Sequence, residues 1–373
     1  ASDDFDWSLI SPTIFGAVFE STLNPETRRA GGMHYTSIEN IHKVIDPLFL
    51  DDLKQELADI KATSVAKTKR DRAIAFQDKI SKLKFFDPAC GSGNFLTESY
   101  TSLRRLENEA LRIIYGDNRV IGELADPIKV SINQFYGIEI NDFACSVAQT
   151  ALWIAEAQMM QETDEIVGFT LDPLPLKTYT NIHEGNALRM DWNEVVPAAE
   201  LDYIMGNPPF VGARFKSTEQ GDDLVAVFGS QWKNIGNLDY VTGWYKKSWE
   251  MMKIHSSIRA AFVSTNSITQ GEQVPALWKP LMESGVQIDF AWRTFIWDSE
   301  AMQKAHVHCV IVGFSLCHSD RKRRIFDGKD VIDASNINGY LIDGDNVFIE
   351  ARSHPICAVP EIGIGNKPID GGF

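Results

Sequence analysis

The segment Asn207-Pro208-Pro209-Phe210 combines residue types that could do chemistry at an amino group. It directly follows the apolar run at residues 201–206, which is typical of a buried strand. Two consecutive prolines cannot continue a central strand or a helix interior, so they fix a stiff turn that projects from the strand end. The simpler interpretation is a rigid surface turn, but the position directly after a buried strand favours a functional one.

Such a turn suits reaction at an amine conjugated to an aromatic ring, or at an amide nitrogen, because both nitrogens are poor nucleophiles. The side-chain oxygen of Asn207 and the carbonyl of Pro208 can each accept one amine hydrogen. This favours a pyramidal nitrogen whose lone pair faces an activated methyl group. No strong base is required, since the proton can leave after positive charge develops. Phe210 offers a flat apolar face on which a planar target can stack.

A second candidate site is the loop DPACGSG at residues 87–93, between a short apolar run and a long helical pattern. In an open parallel sheet, ligands bind beyond the carboxyl ends of the strands, where the next helix presents free N–H groups. Asp87 stands at the strand end, and its carboxylate would repel a pyrophosphate but suits a cationic ligand. Close approach of a ligand to the backbone is allowed by the small residues Ala89, Cys90, Gly91 and Gly93.

The glycine spacing excludes two familiar phosphate-binding loops. A dinucleotide-binding loop needs a third glycine where this sequence has Leu96, and the Gly-Lys-Ser/Thr triplet of a P-loop does not follow. A tight strand-to-helix turn without a ligand is the plain alternative. With Asp87 at the strand tip, the loop favours a sulfonium cofactor that carries an amino-acid moiety.

The next two predicted strands end in residues that suit the remainder of such a cofactor. Glu139 stands where an acidic side chain commonly bonds ribose hydroxyls. Asn186 offers a side-chain carbonyl that could accept from an adenine amine, while Ile140 and Ala187 could flank the ring. Taken singly, each of these residues is also compatible with an ordinary solvated strand end or turn.

Periodicity and turn signals place these motifs on a repeated strand and helix pattern. This predicts an α/β fold with a doubly wound, mostly parallel, seven-stranded, Rossmann-like sheet. The last two strands follow each other without a crossover helix, so the final strand is expected to be antiparallel. The predicted strands lie at residues 82–87, 134–140, 178–188, 201–210, 258–266, 287–295 and 305–316.

Composition limits the function classes. The chain has 373 residues and a net charge of −15, which is unfavourable for a domain that binds nucleic acid mainly through phosphates. We find no apolar run long enough for a membrane span and no secretory signal. The five scattered cysteines do not suit a disulfide framework, so we expect a reducing cytoplasm. The acidic charge and a loop-like end suggest part of a longer protein.

Three further features carry weaker signals. His306, His308 and Cys309 lack paired metal-ligand spacing, so no metal site is predicted. The basic run at residues 321–324 could touch a nucleic-acid phosphate or could be a solvated turn. Residues 211–238 are polar and follow the diproline turn directly, which predicts a mobile loop that becomes ordered on the substrate.

The motifs DPACGSGNF, FYGIEIND, EGNAL and NPPF, in this order on successive strands, resemble class I S-adenosylmethionine-dependent methyltransferases that act on adenine N6 in DNA. The segment GGMHYTS, before the glycine loop, is similar to the cofactor-covering motif of their gamma arrangement. More closely, NPPFVGARF, NLDYVTGWYKKS and FVSTNSITQGEQVPALW resemble the methyltransferase part of MmeI-like, type IIL restriction-modification proteins. The resemblance covers nearly the whole chain.

This resemblance implies a role for each matching residue. Tyr35 and Thr36 would lie over the methionine end of S-adenosylmethionine. Base flipping of the target adenine is the expected mode, and Phe295 or Trp297 would cover the second face of that base. The cofactor pocket would be formed by Asp87, Ala89, Cys90, Gly91, Gly93, Glu139, Ile140, Asn186 and Ala187, and the catalytic turn by Asn207, Pro208, Pro209 and Phe210.

The resemblance also implies three parts of the chain. We expect a helical segment with the covering motif at residues 1–82, the catalytic domain at 83–318, and a tail or linker toward a target-recognition domain at 319–373. A nuclease and a target-recognition domain would belong to the same prokaryotic, cytoplasmic polypeptide, and this part alone would bind double-stranded DNA weakly. The alternatives are methylation of an RNA base or a protein glutamine, or a catalytically silent cofactor-binding specificity subunit.

Overall fold

We describe the fold from a computed structural model of the chain. It describes residues 36–116, 127–168, 181–297, 307–316 and 322–350, together with Arg352, His354, Cys357 and Ala358. The predicted site residue Tyr35 lies outside these residues.

The described helices and strands alternate along most of the chain, as the sequence predicts. The helices are α1 (Ile38–Ile45), α2 (Asp51–Lys61), α3 (Ala66–Ile80), α4 (Asn94–Tyr115), α5 (Asp142–Val167), α6 (Trp192–Val195), α7 (Thr218–Phe228), α8 (Thr242–Ile254) and α9 (Lys279–Glu283). The strands are β1 (Phe85–Asp87), β2 (Phe135–Glu139), β3 (Asn181–Glu184), β4 (Tyr203–Gly206), β5 (Arg259–Thr265), β6 (Gln287–Trp297), β7 (Val307–Ser315), β8 (Arg323–Asp327) and β9 (Asp330–Ala334).

The strands form one sheet in the order β3-β2-β1-β4-β5-β7-β6-β8-β9. Strands β1 to β5 are mutually parallel, and β7 is antiparallel to both of its neighbours, β5 and β6. The first seven strands in this order are the seven predicted ones. The α/β fold and the antiparallel seventh strand are therefore confirmed.

The predicted strand number is too low, because β8 and β9 extend the sheet beyond β6. Residues 323–334, which we expected to belong to the tail, thus belong to the same sheet as the predicted catalytic domain. The charges of Arg323 and Arg324 hid the strand pattern of β8, because both arginines have partners in the fold. Ile325 is fully buried, Arg324 pairs with Asp51, and Phe326 stacks on Trp292 with ring centroids 4.4 Å apart.

Both faces of the sheet are covered, which is what a doubly wound fold requires. Successive residues of a strand point to opposite faces. In β1, Phe85 therefore packs in one core cluster with Phe135, whereas Phe86 packs in the other against Trp192. Continuous burial along β1 and along the middle of β5 confirms that these strands are central.

The helix α1 is fixed at both ends by charged and polar contacts. The Ser37 side chain accepts a hydrogen bond from the backbone N–H of Asn40 and caps the helix, which places Thr36 just outside it. Near the other end, His42 lies 2.9 Å from Asp46 and 3.2 Å from Glu98 of α4. These hydrogen bonds raise the pKa of His42 to about 9.

None of the described helices is both long enough and apolar enough to cross a lipid bilayer.

We predict a pH-dependent contribution of His42 to stability. Because its folded-state pKa is raised from 6.5 to about 9, its stabilisation is complete below pH 6.5 and is lost as the pH rises through about 9. The free energy of unfolding should therefore fall more steeply in the wild type than in His42→Gln over this range. We expect the difference to be on the order of 1 kcal/mol, since the ring is partly exposed.

Urea unfolding at several pH values measures this difference. The matched control is His183→Gln, because His183 is exposed on β3. If the free energy of unfolding changed with pH in the same way in the wild type and in His42→Gln, the predicted contribution of His42 would be contradicted.

Candidate functional site

Most of the predicted residues of the glycine loop and of the neighbouring strand ends meet at one cavity. The cavity has a volume of about 740 Å³ and lies at the carboxyl ends of β1 to β4. The predicted site residues that line it are Thr36, Ala89, Cys90, Gly91, Glu139, Ile140, Asn186, Ala187, Asn207 and Pro209. The predicted residues Asp87, Gly93, Pro208 and Phe210 are not part of the lining.

The glycine loop makes a tight connection from β1 to α4. Gly91 and Gly93 have φ angles of 54° and 82°, in the left-handed region that favours glycine. A Cβ on Gly93 would lie 3.0 Å from the Cβ of Ala148, so this glycine also lets the loop pack against α5. The loop is tied to the next strand because the Cys90 N–H donates to the carbonyl of Ile138 over 3.0 Å.

Asp87 is buried at the end of β1, beneath the cavity lining. Its Oδ1 accepts a hydrogen bond from the Ala89 N–H over 3.0 Å, whereas its buried Oδ2 has no partner. Burial, with a smaller effect from the charge of Glu139, raises the pKa of Asp87 to about 8. Asp87 is therefore largely protonated at neutral pH, and a cation that binds nearby would favour its anionic form.

Glu139 is held in place by backbone N–H groups at the end of β2. Its Oε2 accepts from Gly91 over 2.9 Å and its Oε1 from Asn141 over 3.0 Å. Burial raises its pKa, although the donated hydrogen bonds oppose that shift. The next residue, Ile140, is 65% exposed and presents an apolar surface to the cavity.

Asn186 makes different contacts from those we expected. Its side-chain oxygen accepts from the Leu188 N–H over 2.9 Å, and its amide nitrogen donates to Asp223 over 3.0 Å. Both ends of the amide therefore have protein partners. Ala187 is buried beside it, and its carbonyl accepts from the indole N–H of Trp192 over 2.8 Å.

The diproline turn follows β4, the strand that is hydrogen-bonded to β1 on the side away from β2. The Asn207 amide nitrogen donates to the Thr36 hydroxyl over 3.3 Å, while its buried Oδ1 has no partner. Pro208 is buried. Phe210 is partly buried and packs against both core clusters.

A buried carboxylate fixes the chain just beyond the turn. Asp239 Oδ1 accepts from the N–H groups of Val211 and Val241 over 3.0 and 3.2 Å. The Val211 carbonyl in turn accepts from Tyr240 over 3.1 Å. Burial raises the pKa of Asp239 to about 6. These bonds hold the turn to the start of α8 and restrict its movement.

Sequence reasoning missed one wall of the cavity. We expected a mobile loop at residues 211–238, but this segment contains α7, whose Asp223 lines the cavity. The signal was present as a capping box, in which Ser217 and Gln220 cap each other's backbone N–H groups. Trp244 of α8 was also missed, and its indole N–H donates to the Pro88 carbonyl over 3.1 Å.

The structure does not decide between Phe295 and Trp297 as the residue that covers the second face of a target base. The Phe295 ring lies on β6 with the Lys43 ammonium 5.1 Å from its centroid. The side chain of Trp297 lies outside the described part of the chain.

The sheet order, the glycine loop and the diproline turn on adjacent strands define a class I methyltransferase fold. The chain belongs to the MmeI DNA-methyltransferase domain family, whose model matches residues 63–327.

Individual relatives agree with this family. The chain is 42% identical over 370 residues to DNA methyltransferase A of Bacillus subtilis (strain 168), covering 98% of this chain and 41% of the relative. It matches a structure of the type IIL restriction-modification enzyme MmeI in complex with DNA with a TM-score of 0.90 and 44% identity, covering 99% of this chain and 49% of the MmeI chain. The chain therefore spans less than half the length of either protein.

A more distant structure shares the fold alone. The DrdV-DNA complex has a TM-score of 0.51 and 16% identity, and the match covers 86% of this chain and 30% of the DrdV chain.

We predict that Gly206→Ala destabilises the fold at the base of the cavity, where Gly206 packs against Asp87. A Cβ there would lie 2.4 Å from Asp87 Oδ1, so either the carboxylate or the end of β4 must move. We expect a loss of about 1–3 kcal/mol in the free energy of unfolding. Gly221→Ala is the control, because nothing lies within 4 Å of a Cβ in that helical position. It should instead stabilise by up to about 1 kcal/mol.

Urea unfolding measures both variants. The cost of Gly206→Ala should be smaller when it is combined with Asp87→Ala, since the double variant removes the clashing carboxylate. Equal costs in both backgrounds would show that the Asp87 contact is not responsible.

Proposed function

We propose that this domain transfers a methyl group from S-adenosylmethionine to the N6 amine of a flipped adenine in DNA, as the modification part of a restriction-modification protein. One observation carries the proposal. The buried side-chain oxygen of Asn207 has no partner, and Asn207 lines the same cavity as the glycine loop. A buried acceptor without a partner is costly unless a ligand supplies the donor.

The residues at the cavity fit this methyl donor. The volume of about 740 Å³ is in the range of a cofactor pocket. The loop from Ala89 to Gly91, with the Asp87 carboxylate beneath it, would hold the cationic amino-acid end, with Thr36 above it. Glu139 retains acceptor capacity for ribose hydroxyls, and the exposed face of Ile140 suits an adenine ring. When bound, S-adenosylmethionine supplies an electrophilic methyl group on a sulfonium.

The turn would activate the target amine by accepting its hydrogens. Asn207 Oδ1 and the Pro208 carbonyl provide two acceptors, and the Asn207 amide is oriented by its bond to the Thr36 hydroxyl. Asp239 limits movement of the turn through Val211. The contribution of these residues is positioning, which can supply a large part of a rate enhancement. Stacking on Phe210 would require its ring to become accessible from the cavity.

DNA is the favoured substrate class because the similar MmeI structure was solved in complex with DNA. The net charge of −15 indicates that this domain alone binds DNA weakly. We therefore propose that a basic target-recognition domain supplies most of the affinity, on a polypeptide that also carries a nuclease domain. The RNA, protein and catalytically silent alternatives have no comparable support.

We predict that Asn207→Ala in the full-length protein separates binding from turnover. The affinity for S-adenosylmethionine should stay within about threefold of the wild type, because the cofactor-facing residues are unchanged. Methylation of DNA should fall by at least about 100-fold, because the amine loses an acceptor that orients it. Calorimetry measures binding, and transfer of a tritiated methyl group to DNA, RNA and protein measures turnover and substrate class.

The control for this experiment is Asp87→Ala, which should weaken cofactor binding instead. Undiminished methylation by Asn207→Ala would exclude the proposed role of the turn.

We also predict proton release when the cofactor binds. The pKa of Asp87 is about 8 in the free domain, so at pH 7 most molecules carry a proton there that a cationic ligand should expel. The affinity should rise by up to tenfold per pH unit between about pH 6 and 8. Calorimetry at pH 7 in two buffers of different ionisation enthalpy measures the released proton.

Asp87→Asn is the control, since the amide cannot titrate but keeps the shape of the side chain. Comparison with this variant also subtracts any proton that the ligand itself releases. The same proton release from wild type and variant would rule out Asp87 as its source.

A further inference from the structure

The cavity wall formed by α7 contains a buried carboxylate to which neither the sequence nor the proposed function gives a role. Asp223 is only 4% exposed and lines the cavity, within hydrogen-bond distance of Asn186 beyond the end of β3. A buried carboxylate is retained only where partners compensate its loss of hydration. The hydrogen-bond partners of Asp223 therefore indicate how its charge is stabilised and which role it can have.

Three donors hold Asp223, two from the connection after β3 and one from the segment before α8. Arg189 donates from Nε to Oδ1 over 2.5 Å, while Asn186 and the Tyr240 hydroxyl donate to Oδ2 over 3.0 and 2.9 Å. These donors lower the pKa of Asp223 despite burial, so the group is an anion at neutral pH. A carboxylate offers about four acceptor positions, and these three donors leave one of them, on Oδ1, unused.

The neighbouring Asn186 is oriented by this carboxylate. Its oxygen accepts from Leu188, and its amide nitrogen must face an acceptor, which is Asp223. The amide is thus locked between the two partners. The strongest acceptor at this end of the cavity is therefore the carboxylate on α7 rather than the strand-end amide.

We propose that Asp223 accepts a hydrogen bond from the exocyclic amine of the cofactor's purine and makes the pocket select 6-amino over 6-oxo purines. This inference rests on the proposed function, because it assumes that an adenosyl cofactor occupies the cavity. Asn186 is then a positioning residue for Asp223. A 6-oxo purine presents an acceptor to the anion, so it is rejected by repulsion as well as by a lost hydrogen bond.

The test compares two probes by calorimetry, S-adenosyl-L-homocysteine and S-inosyl-L-homocysteine. The wild type should bind the adenosyl compound at least about tenfold more tightly. Asp223→Asn replaces the anion with an amide that can donate to a 6-oxo group, so the preference should fall below about threefold. The matched control is Asp222→Asn, which removes the same charge from an exposed neighbouring position on α7 and should keep the wild-type preference.

Each outcome decides the proposal. A preserved preference in Asp223→Asn overturns the role of Asp223 and leaves the proposed function intact. Failure of the wild type to bind either probe overturns both. If Asp223→Asn does not fold by circular dichroism, Asp223→Ser removes the charge without placing an amide against the three donors. Loss of the preference in that variant supports the proposal, and its retention overturns it.

Discussion

The adjacency of β1 and β4 is the constraint on which the site depends. The two parallel strands end side by side, so the buried carboxylate of Asp87 packs against Gly206, one residue before Asn207. Only a residue without a side chain allows this approach. The glycine loop and the diproline turn, more than a hundred residues apart in the sequence, are consequently held at the same edge of the sheet. A donor and an acceptor of a transferred group need such a fixed distance.

The site concentrates polar groups that the fold alone does not satisfy. Asp87 Oδ2 and Asn207 Oδ1 are buried without partners, and burial raises the pKa values of both Asp87 and Glu139. Such groups reduce the stability of the free domain and are expected where a ligand completes the structure. The surrounding sheet, buried on both faces, provides the stability that tolerates them.

Two elements from outside the strand ends close the cavity. Thr36 reaches Asn207 from the start of α1, and Asp223 reaches Asn186 from α7. Asp239 and Tyr240 connect these parts, because one bonds the chain after the turn and the other bonds Asp223. Val211, directly after the diproline turn, is therefore linked to Asn186 through hydrogen bonds of Tyr240 and Asp223, which provides a physical route for coupling between the turn and this end of the cavity.

The sequence by itself determined the α/β class, the seven core strands, the antiparallel β7 and the strand ends that carry Asp87, Glu139, Asn186 and Asn207. These follow from local patterns, since periodicity, glycine and proline act within a few residues. The tertiary structure decided the addition of β8 and β9, the contacts of Asn186 and the place of α7 against the cavity. Each depends on partners distant in the chain, such as Asp51 for Arg324 and Tyr240 for Asp223. A linear pattern records that a side chain is polar, but only folding determines which opposite charge or donor it meets.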